Sequence, residues 1–328
     1  MAIVLGKRYC SAYCSNRIAI ILLKWHNRGE IEYARGANKM ILGALEAGGT
    51  KMVLAVGAEK GEILDKCVIP TETPEKTMPE MIDYFKKKKI EALGIGTFGP
   101  VDVREDSPTY GRILDTPKTA WRQYDLGKNL QEALQVPVKV DTDVNASCLG
   151  EMTFGDSKEL KNIIYITIGT GIGAGVAVNG SLLHGMLHPE AGHILLRKSS
   201  KDSYEGKCPY HKTCFEGLAS GPAIEERYGK KAWELADNME VWELEGDYIA
   251  QALTNYILMF SPERIILGGG VMHQTQLMQI IHSKTLKYLG GYLNTSQLKN
   301  IESYITLPSL EDNQGILGAL QLAVMALK

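Results

Sequence analysis

The sequence predicts an α/β protein made of two similar halves around a cleft, and three observations carry that expectation. Short apolar, strand-like runs alternate with longer helical patterns along most of the chain. A strand–turn–strand plan occurs twice, 120 residues apart. Several apolar runs end in glycine or polar residues, and in open α/β sheets ligands gather at the carboxyl ends of the strands.

The 328 residues suffice for two domains of ordinary size. A composition of 45% hydrophobic and 23% charged residues is that of a globular protein, and no apolar run approaches the length of a membrane span. The formal charge of −2 argues against nucleic acid as a partner. Six cysteines are too few for a disulfide scaffold in a chain this long, which favours a reducing, cytoplasmic setting.

Residues 1–39 stand apart. They hold Lys7, Arg8, Arg17, Lys24, Arg28, Arg35 and Lys39 against only Glu30 and Glu32, and the apolar run from Ile18 to Leu23 is too short to span a bilayer. They read as a non-core extension. The functional alternative is a basic docking arm with Cys10 and Cys14 as a redox or metal pair.

In LEAGGTKMVLAVGAEKGEIL (45–64) a strand reaches a Gly-Gly-Thr turn, a second strand returns and a third begins. EALGIGTFGPVD (91–102) is a buried strand ending in a Gly-Pro loop, and VPVKVDTDVNASCLGEMTFG (136–155) is a strand that runs into a helix. YITIGTGIGAGVAVNGSLL (165–183) repeats the first plan, with Gly169 and Thr170 in the places of Gly49 and Thr50 and Asn179-Gly180 as a two-residue hairpin turn. RIILGGGVM (264–272) is again a strand ending in glycines, and an apolar helix follows Gln314. Glycine in the paired turns permits positive φ and lets backbone N–H groups approach an anion, so the two turns together can hold a polyphosphate from both sides. The P-loop pattern GxxxxGK[ST] is absent.

PEAGHILLRKSSKDSYEGKCPYHKTCFEG (189–217) places Cys208, His211 and Cys214 at three-residue steps, with His193 fifteen positions upstream. Two thiolates and two imidazoles suit tetrahedral zinc with no position left for water, hence a structural metal. The alternative is a pair of unrelated buried thiols beside surface histidines. VDTDVNAS puts Asp141, Asp143 and Asn145 just past a strand; an aspartate there can be a catalytic carboxylate at the cleft or a cap of the helix that starts near Val144.

From about Ile41 to the C-terminus the chain resembles the ROK sugar kinases (repressor, open reading frame, kinase) of the actin-like ATPase superfamily. The resemblance rests on EAGGTK, D-V-N-A, IGTGIGAG, HPEAGH, CPYHKTC followed by FEGLASG, and LGGG, in the family's order. It implies a duplicated actin-like (ribonuclease H-like) fold, with a small domain of 41–155 completed by 311–328 and a large domain of 156–310 carrying the zinc loop. It implies ATP, Mg2+ and Zn2+ as cofactors, Asp143 as general base, and Glu190, His193 and Glu216 as sugar ligands. Zinc, on His193, Cys208, His211 and Cys214, would brace the loop that carries two of those ligands. Gly48, Gly49, Thr50 and Lys51, then Gly169, Thr170 and Gly171, with Gly221, Pro222, Gly268, Gly269 and Gly270, are expected around ATP.

Within the family the chain is most similar to the zinc-containing bacterial fructokinases, which implies phosphorylation of D-fructose to fructose 6-phosphate. The alternatives are a kinase for glucose or mannose, or a non-catalytic sugar sensor; a repressor would need a longer N-terminal DNA-binding segment. TPKTAW (116–121) stands where glucose-type members often read T-P-N, Thr142 stands where many have asparagine, and Glu46 occupies a position usually held by aspartate. Thr142, Lys118 and Pro100 are expected at the sugar and Trp121 beside it, Trp233 and Trp242 are expected in the core, and a homodimer is expected.

Overall fold

The computed structural model describes residues 40–328; the extension 1–39, with Cys10 and Cys14, lies outside the described residues. Met40–Lys328 is one compact unit containing two five-stranded sheets. The first comprises β1 (Leu42–Ala47), β2 (Lys51–Gly57), β3 (Ile63–Pro70), β4 (Ala92–Thr97) and β5 (Val138–Thr142) in the order β3-β2-β1-β4-β5. The second comprises β6 (Ile163–Ile168), β7 (Ile172–Val178), β8 (Ser181–Leu182), β9 (Arg264–Gly268) and β10 (Ile305–Thr306) in the order β10-β9-β6-β7-β8. In both, the first three strands pair antiparallel and the next two join the first in parallel. The internal echo in the sequence is therefore a duplicated topology.

The helices are α1 (Pro74–Lys88), α2 (Leu126–Leu134), α3 (Asp143–Thr153), α4 (Phe215–Ala219), α5 (Gly221–Tyr228), α6 (Met239–Phe260), α7 (Gln276–Leu289), two single turns α8 (Ser296–Lys299) and α9 (Ile301–Tyr304), and α10 (Gln314–Ala326). Alternation along β1 sends Leu45 and Ala47 toward Phe85 of α1 and Leu130 of α2, and Leu42 and Ala44 toward Ile316, Ala319 and Ala323 of α10. Both faces are covered, so β1 is apolar apart from Glu46 near its carboxyl end. In the second sheet Ile164, Ile166 and Ile168 pack with α6 and α7, while Ile163 and Tyr165 turn to Cys148 of α3.

Helix α3 is enclosed on three sides, and glycine makes the fit possible. A Cβ on Gly96 would stand 2.7 Å from Ala146, one on Gly175 would stand 2.2 Å from the Val144 carbonyl oxygen, and one on Gly318 would stand 1.6 Å from the Ala146 carbonyl oxygen. Each partner therefore approaches to backbone distance. This vice of β4, β7 and α10 fixes the axis of α3 and so the place of its first residue, Asp143.

Two tryptophans differ from expectation. Trp121 is buried in the core beneath Phe98 and Tyr124, and its indole N–H donates to the Glu72 carbonyl at 2.8 Å, so it packs rather than lines a cleft. Trp233 is 70% exposed, because the short 3-10 turn Ala232–Leu235 buries Leu235 instead. Trp242 is fully buried, as expected.

Candidate active site

Both sheets deliver the paired turns from the same topological position. Between the last cross-strand partners, Ala47 with Met52 and Ile168 with Ile172, lie residues 48–51 in one hairpin and 169–171 in the other. The first turn is thus one residue longer, and the match of Gly169-Thr170 to Gly49-Thr50 holds when counted back from the returning strand. Gly48 donates to the Lys51 carbonyl at 3.0 Å and Gly169 to the Gly171 carbonyl at 2.9 Å, closing each turn. None of these glycines has positive φ. Their missing side chains serve close approach: a Cβ on Gly48 would meet the Lys51 carbonyl at 2.8 Å, and one on Gly171 would meet Glu216 Oε2 at 2.8 Å.

Around the second turn, Gly221 at the start of α5 donates to the Gly169 carbonyl at 2.8 Å, with Pro222 next in that first helical turn. Gly268 has no room for a Cβ beside the Tyr165 hydroxyl, and Gly269 has a φ of +88° against the Ile168 backbone. Gly270 alone of the three faces open space. Around the first turn, the Lys118 side chain lies over Gly49, its Nζ 3.7 Å from where a Cβ would stand. Lys118 forms no ion pair among the described residues, and it caps the 3-10 turn Thr119–Trp121. Lys51 opens β2 and is exposed.

Asp143 is the first residue of α3, and Thr142 rather than Asp143 is the N-cap: the Thr142 hydroxyl accepts the Asn145 N–H at 3.0 Å. Thr142 is buried, and its hydroxyl sets the start of the helix that carries Asp143. Asp143 Oδ1 accepts the Val144 N–H at 2.9 Å. Burial, then the charge of Glu46 and more weakly that of Glu190, push its carboxyl up to about 7. Glu46 itself is raised by burial, its carboxylate pressed against Gly315 at the start of α10. Glu190 presents a side chain that water can reach, yet the cleft walls and the charge of Glu216 push it up to about 7. Asp143 is thus coupled electrostatically to Glu46 and Glu190, and Glu190 in turn to Glu216.

Glu216 sits in the first turn of α4 and accepts the Ile172 N–H at 3.0 Å, tying α4 to the second turn. His193 ends the 3-10 turn Ala191–His193 and points Nδ1 at Cys214 Sγ (3.6 Å) and Cys208 Sγ (3.7 Å); His211 Nδ1 is also 3.7 Å from Cys208 Sγ. The four donor atoms lie within 4.8 Å of one another. A tetrahedral ion with bonds of ~2.3 Å to sulfur and ~2.0–2.1 Å to nitrogen has sulfur–nitrogen edges of about 3.6 Å, so the donor set fits such an ion. With Nδ1 turned to the sulfurs, Nε2 of His193 is the nitrogen left for another partner.

Sequence reasoning gave no part to His184 and His188, although H-x3-H-x-E in HGMLHPE was there to be read. His184 Nε2 lies 2.9 Å from Asp141 Oδ2, and His188 Nε2 accepts the Val101 N–H at 3.3 Å beside Pro100.

The family pattern described as ROK family matches residues 42–326. The chain is 53% identical over 289 residues to a protein of Bacillus subtilis (strain 168), covering 88% of this chain and 97% of that one. It is 44% identical over 289 residues to the fructokinase of Pediococcus pentosaceus, covering 88% of this chain and 99% of the relative. The crystal structure of a ROK hexokinase from Thermus thermophilus superposes with a TM-score of 0.72 at 27% identity, over 88% of this chain and 99% of that one. Matched along nearly its whole described length in sequence, fold and order of motifs, the chain belongs to the ROK family.

Proposed function

We propose that the protein transfers a phosphoryl group from MgATP to the 6-hydroxyl of D-fructose, with Asp143 as general base. The observation that carries this reading is the Asp143 carboxyl, fixed at the N-terminus of an enclosed helix with its pKa near 7, where a base both accepts a proton and is ionised at neutral pH. Relatives named fructokinase at 44% and 41% identity support fructose as the sugar.

In this mechanism Glu190, Glu216 and His193 Nε2 hold the sugar's other hydroxyls and aim its 6-hydroxyl at Asp143. The N–H groups of Gly49, Thr50, Thr170 and Gly171, with the Thr50 and Thr170 hydroxyls, hold the phosphates, and Lys118 and Lys51 meet the charge on the transferred group. Gly221, Pro222, Gly268, Gly269 and Gly270 border the nucleoside. Because the transition state of phosphoryl transfer is loose, positioning and charge neutralisation supply most of the rate, and Asp143 takes the proton late. Magnesium, bound with ATP, would neutralise phosphate charge, and Glu46 would hold its water shell. Zinc on His193, Cys208, His211 and Cys214 would supply no reaction chemistry and would fix the loop between Glu190 and Glu216.

The reading takes 41–155 with 311–328 as the small domain and 156–310 as the large one, and a homodimer in a reducing compartment, in keeping with Cys67, Cys148, Cys208 and Cys214, which form no disulfide among the described residues. Among the described residues no helix is long and apolar enough to cross a membrane. An ADP-release assay across fructose, glucose and mannose tests the function. Fructose is expected to give the highest kcat/KM, and Asp143→Asn to lower kcat by about a hundredfold or more. Preference for another hexose would change the substrate, and no turnover of any would leave a sugar-binding protein.

A further inference from the structure

Segment 183–190 leaves β8 in the second sheet and reaches Glu190, and on the way it is fastened twice to the first sheet's half. Asp141, at the end of β5, is buried and makes three hydrogen bonds. Its Oδ1 accepts the Thr142 N–H at 2.8 Å and the Asn145 side-chain amide at 2.7 Å, which brackets the helical turn carrying Asp143. Its Oδ2 takes its bond from the other half, His184 Nε2 at 2.9 Å. A carboxylate oxygen accepts, so Nε2 carries the hydrogen. Four residues on, His188 Nε2 accepts from the Val101 backbone at 3.3 Å, and its Nδ1 lies 3.6 Å from Glu190.

We propose that His184 is a positioning residue: its bond to Asp141, seconded by His188 on Val101, clasps the two halves so that Glu190 on one faces Asp143 on the other. The chemistry suits a clasp that can be made and broken. His184 is about a third exposed while Asp141 is buried, so solvent reaches the donor and the acceptor stays fixed. The hydrogen bond to Asp141 raises the His184 pKa, partial burial and Lys139 oppose it, and Glu105 adds to it; Lys139 and Glu105 are themselves paired. His188 is the other titratable group near it, and burial lowers its pKa, which keeps Nε2 free to accept. The clasp is therefore strongest where His184 is protonated and His188 is not.

The kinetic arm of the test rests on the kinase reading, and a second arm does not. His184→Ala is expected to lower kcat/KM for fructose by about tenfold or more with ATP KM and Tm little changed, whereas His184→Gln, which restores an N–H donor, is expected to recover most of the loss. In 15N-histidine-labelled protein, the resonance that disappears in His184→Gln is expected to titrate above an ordinary histidine and to fall in Asp141→Asn. Unchanged kcat/KM in the alanine variant, equal loss in both variants, or a titration indifferent to Asp141→Asn would each overturn the clasp. If the wild type phosphorylates no sugar, the functional reading fails by itself and the titration still decides whether the pair exists in solution.

Discussion

Glu216 Oε2 accepts the Ile172 N–H at 3.0 Å, so the helix that follows the Cys208–Cys214 loop is bonded directly to the turn proposed to hold phosphate. Phe215, its neighbour, donates its N–H to the Ile194 carbonyl, one residue past His193. The Cys208–Cys214 loop, the segment after His193 and the start of β7 are thereby one connected piece, and a change in the four-ligand cluster has a route to each.

That connection sets the first prediction. Cys208→Ser, or a strong chelator, is expected to release about one zinc per chain, lower Tm and raise the fructose KM, because Glu190, His193 and Glu216 lose a common brace. Metal analysis with thermal melts and kinetics checks this. Protein stripped of metal that melts and turns over as before would remove the staple.

A second prediction concerns pH. Asp143 and Glu190 both have carboxyls near 7, so kcat/KM for fructose is expected to rise with pH through about 7 as the base ionises. The charge of Glu46 is the second cause of the Asp143 shift, after burial, so Glu46→Gln is expected to move that limb to lower pH. Stability runs the other way. A raised folded pKa gives a contribution present below the unfolded value of roughly 4 and lost as pH climbs toward 7. A limb that stays in place in Glu46→Gln would disprove the coupling.

The third concerns Lys118, which lies over Gly49 without an ion pair among the described residues. If it neutralises the transferred phosphoryl group, Lys118→Met is expected to lower kcat by roughly tenfold or more with the fold intact, and Lys118→Arg to retain part of the rate. Steady-state kinetics with variable ATP and fructose separates this from a sugar contact, which would act mainly on fructose KM.

The fourth concerns stability away from the cleft. Glu245 on α6 is buried with neither carboxyl oxygen hydrogen-bonded among the described residues, and burial holds its pKa well above the ordinary value, Arg227 opposing and Asp202 assisting. Its contribution is full below an unfolded pKa of about 4.3 and lost as pH rises through the folded one. Glu245→Gln cannot ionise, and is expected to be more stable than wild type at around pH 8, with the gap closing in acid. Denaturant melts at the two pH values measure it; an equal gap at both would show that ionisation is not the cause.

The sequence by itself determined what lies within a few residues of its own cause. Two glycine turns after apolar runs made the paired hairpins, Asn179 and Gly180 took the left-handed conformations that a tight hairpin needs, and the three-residue steps of Cys208, His211 and Cys214 fixed one side of a tetrahedron. Asp143 was legible because strand end and helix start are adjacent in the chain. The tertiary structure alone decided the rest. His184 meets Asp141 across 43 positions, and Lys118 reaches Gly49 from a distant loop. Trp233 and Trp242 are nine residues apart, yet one is exposed and the other buried. The physical reason is that turn chemistry and periodicity act along the chain, while hydrogen-bond partners, burial and pKa depend on which layers pack together. The enclosed helix α3 is one such case, where glycines bring β4, β7 and α10 close against it and so set where Asp143 stands.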